Sequence, residues 1–189
     1  MKKLFLMAVV MLASVASYAQ HSVGSFTLQP KLGLNIASLT DSKDSDPRFG
    51  LAAGAEFEYQ ATDIVSLSFG ALYSMQGCKV DDVTVKLDYI NVPILANVYV
   101  TKGLAVKLGL QPGFKVNYDW KADGVTVEGD KILKAKSVDL SIPVGLSYEF
   151  DNFVIDGRYN FGVTKVFDSD NSDSKNSVFQ ITLGYKFDL

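Results

Sequence analysis

The stretch LAVKLGLQPGFKVNYD, residues 104–119, decides the fold. Leu104, Val106, Leu108, Leu110, Pro112, Phe114, Val116 and Tyr118 fall on one side of a period of two, and Ala105, Lys107, Gly109, Gln111, Gly113, Lys115, Asn117 and Asp119 on the other. Successive side chains of a strand point to opposite faces, so this is a long strand with one apolar and one polar face. A strand of about 10 residues tilted by about 45° crosses a bilayer core. Only a closed set of such strands satisfies every backbone hydrogen bond in lipid, so repeats of the pattern would describe a barrel.

The pattern returns about eight times along the chain, in 26–37, 51–60, 65–76, 85–100, 104–119, 138–149, 153–164 and 179–189. In the first, Phe26, Leu28, Leu32, Leu34 and Ile36 oppose Thr27, Gln29, Lys31, Gly33 and Asn35. In 85–100 the phase slips near Ile90 and Asn91, which points to a bulge beside Pro93, a residue with no N–H for the ladder. Residues 61–63, 101–103 and 151–152 make tight turns, while 38–48, 77–84, 120–136 and 166–176 make long polar loops. Short periplasmic turns alternating with long external loops characterise outer-membrane barrels, and an even strand count puts both ends of the barrel on the periplasmic side.

A soluble lipocalin-like barrel would carry the apolar face inside, so the polar face has to decide. Gly33, Gly54, Gly70, Gly109, Gly113, Gly145, Gly162 and Gly184 lie on it, as suits a crowded lumen. Tyr59, Tyr99, Tyr148, Phe150, Phe153, Tyr185 and Phe187 lie near the short turns, and Tyr73, Tyr118, Tyr159 and Phe161 toward the loops, so that two interfacial girdles are expected. Trp120, the only tryptophan, reads as a further interface anchor. The fold expected is therefore an all-β, eight-stranded antiparallel up-and-down transmembrane barrel.

The beginning of the chain reads as a leader. Lys2 and Lys3 precede an apolar run, 4–13, and Ser17-Tyr18-Ala19 supplies the small residues a signal peptidase reads. Cleavage between Ala19 and Gln20 makes 1–19 a signal peptide and 20–189 one barrel domain. Removing 1–19 takes away two of the 18 basic residues and none of the 21 acidic ones, leaving a balance of −5. That balance does not suit nucleic acid, which asks for a basic patch with interleaved aromatics. No later run of about 18 apolar residues offers a helical span. Cys78, the only cysteine, excludes an intramolecular disulfide and falls in an expected loop.

The runs FGLAAGAEFEY (49–59), LDYINVPILANVYVTKGLAVKLGLQPGF (87–114) and LGYKFDL (183–189) resemble the small outer-membrane β-barrel family labelled PorT-like or porin-family. The resemblance covers essentially the whole mature chain, and Tyr89-Ile90-Asn91-Val92-Pro93 leading through the Thr101-Lys102-Gly103 turn is its most specific part. It implies an eight-stranded barrel in the outer membrane, in a family one branch of which assists a protein-secretion apparatus. The chain ends in Leu189 where many barrels end in an aromatic, with Tyr185 and Phe187 just before it.

The candidate site is the polar face itself. Lys31, Lys107, Lys115, Arg158 and Lys186 would meet Glu56, Glu58, Asp139, Glu149 and Asp156 in the lumen, five cations against five carboxylates. Such charges are costly unless paired or hydrated, so a plug of paired charges is expected, with a narrow polar path for small solutes as the alternative. An eight-stranded barrel is only wide enough for side chains to fill. Catalysis is not expected. The one histidine, His21, lies beside the cleavage site outside the strands and reads as a disordered terminal residue, and Glu56 with Glu58 is explained by lysine partners better than as an acid/base pair. Asp41, Asp44 and Asp46, and Asp168, Asp170 and Asp173, read as solvated loops, since the second set lacks the glycine and final glutamate of an EF-hand. No cofactor or metal is expected. The expected partners are outer-membrane lipid and lipopolysaccharide, with a surface or secretion-system protein meeting the loops of a monomer.

Overall fold

The computed structural model describes residues 21–40, 45–122, 125–131, 133–168 and 173–189. The leader and the Ala19/Gln20 cleavage site lie outside the described residues. The chain runs β1 (Phe26–Leu39), β2 (Ser45–Gln60), β3 (Val65–Val80), β4 (Val83–Asn91), β5 (Ile94–Thr101), β6 (Leu104–Ala122), β7 (Val125–Glu128), a 3₁₀ turn (Gly129–Lys131), β8 (Val138–Phe150), β9 (Phe153–Gly162), β10 (Asn176–Tyr185) and β11 (Phe187–Asp188).

These strands build eight antiparallel staves. β4 and β5 are two parts of one stave, since both lie between β3 and β6, and β10 and β11 are two parts of another. The ring closes where β10 meets β1, with Lys31 opposite Gly184 and Leu39 opposite Asn176. β7 is a short addition that pairs only with the outer end of β6.

Apolar side chains face outward and polar ones inward. Leu32, Leu34, Leu108, Leu110, Ile155 and Leu183 are exposed, whereas Gln29, Asn35, Ser66, Asn97, Gln111 and Thr182 are buried. A soluble barrel would be built the other way round. Phe26 stacks near Tyr59, and Phe150, Phe153, Tyr185 and Phe187 form a chain of ring contacts at the short-turn end, which is the girdle a membrane interface favours. No helix among the described residues is long and apolar enough to cross a membrane.

Several local expectations are corrected. The stave 83–101 keeps one phase throughout: Val85, Leu87, Tyr89, Asn91, Leu95, Asn97 and Tyr99 are all buried in the lumen. The bulge sits on the partner strand instead. Asp88 faces Asn117 and Tyr89 faces Lys115, so Val116 of β6 is the extra residue. The phase of β6 therefore reverses beyond it, and Tyr118 turns inward although the alternation put it outside. Neither Tyr118 nor Tyr99 belongs to a girdle. Around Pro93 the ladder persists, because Gly70 donates to the Pro93 carbonyl at 3.2 Å and Val92 to the Pro112 carbonyl at 2.8 Å.

Residues 77–84 are likewise no loop. β3 and β4 run on as a hairpin to Val80 opposite Val83, turning through Asp81 with its φ of 50°. Cys78 is thus a buried strand residue. β3 has 16 residues and β6 has 19, well beyond the ~10 that cross a bilayer, so their outer ends stand clear of it.

Candidate functional site

Inward-facing side chains stack in layers along the barrel axis. The lowest layer, at the short-turn end, is centred on Lys186, 2.7 Å from Glu149 and 3.2 Å from Glu58. Glu58 also accepts hydrogen bonds from the hydroxyls of Tyr99 at 2.6 Å and Ser66 at 2.7 Å. His21 lies here rather than free at the terminus. Its Nε2 is 2.8 Å from Glu149 and its Nδ1 is 3.3 Å from Asp188. The hydrogen bond to Glu149 is the main reason its pKa is raised above the ordinary value, against the opposing effect of burial.

One layer higher is a belt of five charges. Lys31 Nζ is 2.6 Å from Glu56 and 3.2 Å from Asp156. Lys107 Nζ is 2.6 Å from Asp156. Arg158 donates through Nε and Nη2 to the two oxygens of Asp156, each at 2.8 Å, and its Nη2 is 2.9 Å from Glu56. These groups come from β1, β2, β6 and β9, so the belt ties four staves across the axis. All five residues are buried.

Glycines make the belt possible. Lys31 lies opposite Gly54 on one neighbour and Gly184 on the other, Glu56 opposite Gly70, and Lys107 and Arg158 both opposite Gly145. A Cβ at Gly54 would collide with the Ala71 carbonyl, and one at Gly145 would lie 2.7 Å from the Cβ of Arg158. A long side chain that reaches across a narrow lumen needs empty space on the adjacent stave, and a missing side chain supplies it.

Above the belt lies a layer of amides and hydroxyls, in which Asn35 donates to Ser74 at 2.9 Å and Gln111 to Ser141 at 3.3 Å. Next comes Arg48, 3.2 Å from Asp88 of the barrel wall, which is out of phase with the inward Leu87 and Tyr89, and also hydrogen-bonded to the Gln76 carbonyl. Asp88 in turn accepts from Tyr73 at 3.1 Å and Asn117 at 3.2 Å. The outer end of the lumen is closed by apolar side chains: Leu39, Cys78, Val85, Leu87, Tyr118 and, from the loops, Ala135, Val166 and Phe167. A β-bridge joins Ala135 to Phe167, whose ring lies 6.3 Å from that of Tyr118. Trp120 packs on this cap and donates to the Tyr118 hydroxyl at 2.8 Å, so it braces the cap rather than anchoring in lipid.

Of the ten lumen charges taken from the alternation, eight make these two ionic layers: Lys31, Glu56, Glu58, Lys107, Glu149, Asp156, Arg158 and Lys186. Lys115 does not join them. It reaches outward to Asp130 at 2.8 Å and to the Ala135 carbonyl at 2.9 Å, holding the Asp130 carboxyl below its ordinary pKa. Asp139 does face the lumen, but there it accepts from the Thr164 hydroxyl at 2.9 Å rather than from a cation. Glu56 and Glu58 part into different layers, because i and i+2 on one strand are separated along the axis.

Sequence reasoning missed Arg48, Asp88 and His21. Arg48 sat in an expected loop and Asp88 falls where β4 faces the bulge of β6. His21 carried no signal, since the contact that holds it spans 128 residues. Among the described residues no group of three His, Cys, Asp or Glu is placed to hold a metal, and Asp173 pairs with Lys165.

A closed ring of eight staves, apolar outside and ionic inside, defines an integral membrane β-barrel. The family comparison gives the particular family: the family model described as "Outer membrane protein beta-barrel domain" matches residues 18–168, so the chain belongs to the outer-membrane β-barrel family and resides in the outer membrane. Among solved structures it is similar to Ail, the attachment invasion locus protein of Yersinia pestis, at 16% identity and a TM-score of 0.51, covering 88% of this chain and 100% of Ail. It is also similar to Neisserial surface protein A, at 14% identity and a TM-score of 0.53, covering 86% of this chain and 97% of that one. At these identities the likeness is one of fold. No curated protein sequence matches the chain.

Proposed function

We propose that this protein is a closed, monomeric outer-membrane barrel whose lumen is a structural strut and whose working surface is external. The observation that carries the reading is the belt in which Asp156 holds Lys31, Lys107 and Arg158 within 3.2 Å while Glu56 completes the set. Charges fixed by opposite charges at this spacing resist displacement by a passing ion. The carboxylates an enzyme could use as acid or base are all engaged by cations or hydroxyls in these layers, which supports a non-enzymatic role. The outer ends of β3, β4 and β6, with the loops packed on them, form a shaped surface beyond the lipid, where lipopolysaccharide or a surface or secretion-system protein would be met.

Planar-bilayer recording tests the reading. The wild-type protein should show negligible steady conductance beside a larger porin, and Asp156→Ala should raise it. Large single-channel steps from the wild type would overturn the strut and favour a narrow channel for small solutes.

A further inference from the structure

We propose that the outer face of β10 carries a site for one two-chained, phosphate-bearing membrane lipid, with its chains in the grooves on either side of the Phe179–Ile181 ridge and its phosphate at Lys175. Gly157 gives the first indication. Gly54, Gly70 and Gly145 face the lumen and are hemmed in by their neighbours, whereas Gly157 points outward between Ile155 and Tyr159, and a Cβ there would meet nothing within 4 Å. The ladders on both sides of it run without a bulge, from Ser141 opposite Gly162 to Phe150 opposite Phe153, and from Ser177 opposite Phe161 to Tyr185 opposite Phe153. A glycine inside a strand weakens it. With neither a bulge nor a crowded neighbour to require one here, what remains is the close approach of something from outside.

Leu146 and Ile181 are the cross-strand partners of Gly157, so the missing side chain opens a groove of about 430 Å³ with Leu146, Ile155, Tyr159 and Phe179 among its walls. A second groove, of about 440 Å³, runs over the closing seam between β1 and β10, along Leu34, Ile36, Phe49, Ile181 and Leu183, and the two meet at Ile155. Each has the volume of a ligand pocket, and side chains of this kind suit a hydrocarbon chain.

The polar end of such a molecule finds partners farther along the same face. Toward the long loops, Ile181 and Phe179 are followed on the outward side of β10 by Ser177 and then by Lys175. The Ser177 hydroxyl is hydrogen-bonded to that of Tyr159, at the head of the first groove. Lys175 stands four residues beyond Phe179, about 13 Å along a strand. Its backbone is pinned to Thr40 by two hydrogen bonds of 2.9 Å. Among the described residues no carboxylate forms an ion pair with Lys175, and the nearby Asp173 is held by Lys165. Two apolar grooves beneath one fixed ammonium match a lipid with two chains and one anionic headgroup. A second copy of the chain fits less well, since a two-fold contact through this face would set Lys175 against Lys175. The site lies on the barrel wall, so it stands whether or not the lumen conducts.

Native mass spectrometry of the full mature chain, released from nanodiscs of phosphatidylglycerol and phosphatidylcholine in equal amounts, tests the proposal. The wild type should retain one phosphatidylglycerol in preference to phosphatidylcholine by about fivefold, the gain that one lysine brings at an anionic surface. Lys175→Gln should remove the preference. Gly157→Leu, which fills the first groove, should lower the retention of both lipids severalfold, and both variants should keep the mobility difference between boiled and unboiled protein. Excess glycerol phosphate should leave the bound lipid in place. Equal retention of the two lipids by the wild type, or retention that neither variant changes, would overturn the site. Displacement by glycerol phosphate would overturn it in favour of a site for a free phosphate, and a dimer that Gly157→Leu dissolves would give the grooves to a second copy instead.

Discussion

The two ends of the lumen are closed by opposite chemistry. At the short-turn end, closure is ionic: Lys186, Glu58 and Glu149 below, and Lys31, Lys107, Arg158, Glu56 and Asp156 above them. At the long-loop end, closure is apolar, with Phe167, Val166 and Ala135 laid over Cys78, Val85, Leu87 and Tyr118. The difference follows from what surrounds each part. Within the membrane the outer face must be apolar, so the lumen takes the polar residues of the alternation, and in so narrow a space they must pair. Beyond the membrane the outer face can be polar, which frees the inner face to form an ordinary hydrophobic core sealed by loops. The bulge at Val116 is the device that exchanges the faces on β6.

The largest effect should come from breaking the ionic closure at its hub. Asp156→Ala leaves Lys31, Lys107 and Arg158 with Glu56 alone, and should destabilise the barrel by about 3–5 kcal/mol in urea titrations in lipid. A change under about 1 kcal/mol would mean that water, and not the pairing, carries these charges.

Next in size is a test of the shell that makes the lower region ionic. Leu108 is 54% exposed on the outer face, so Leu108→Arg should cost about 2–4 kcal/mol near the bilayer midplane. The same substitution at Val127 on β7, outside the membrane, should cost almost nothing, and equal penalties would erase the boundary between the two regions.

The apolar closure should fail locally. Phe167→Ala removes the ring that covers Tyr118, and the cap should open without unfolding the barrel, lowering global stability by about 2 kcal/mol or less. Maleimide labelling reads it directly: Cys78, 1% exposed in the wild type, should become reactive in the variant while heat-modifiability is retained. Continued protection of Cys78 would show that the cap does not depend on the Ala135–Phe167 bridge.

The smallest effect concerns the base of the ionic region. Because the folded pKa of His21 is raised, its contact with Glu149 contributes stability fully below about pH 6.5 and loses it as pH rises through the folded value. Wild type and His21→Gln should therefore differ by less than about 1 kcal/mol at pH 5.5 and converge by pH 9. A difference that grew with pH would reverse the assigned role.

The alternation of 104–119 and its repeats determined the closed sheet, the turning of its apolar face to lipid and most of the side chains that enter the lumen, because a period of two and the demand for a satisfied backbone in lipid act on each strand separately. It also placed Lys31, Glu56, Lys107 and Arg158 on the inner face, and the glycines that make room for them. Tertiary structure alone decided which charge meets which. Lys31 and Asp156 stand 125 residues apart, and their contact depends on barrel closure and on the stagger of β1 against β10. It also decided that Cys78, Tyr99 and Tyr118 turn inward, that His21 docks on Glu149, and that Lys115 leaves the lumen for Asp130. A bulge shifts the phase of one strand according to how its neighbour runs, and a terminal segment or loop settles where distant side chains offer it a partner, so neither is written in the local pattern.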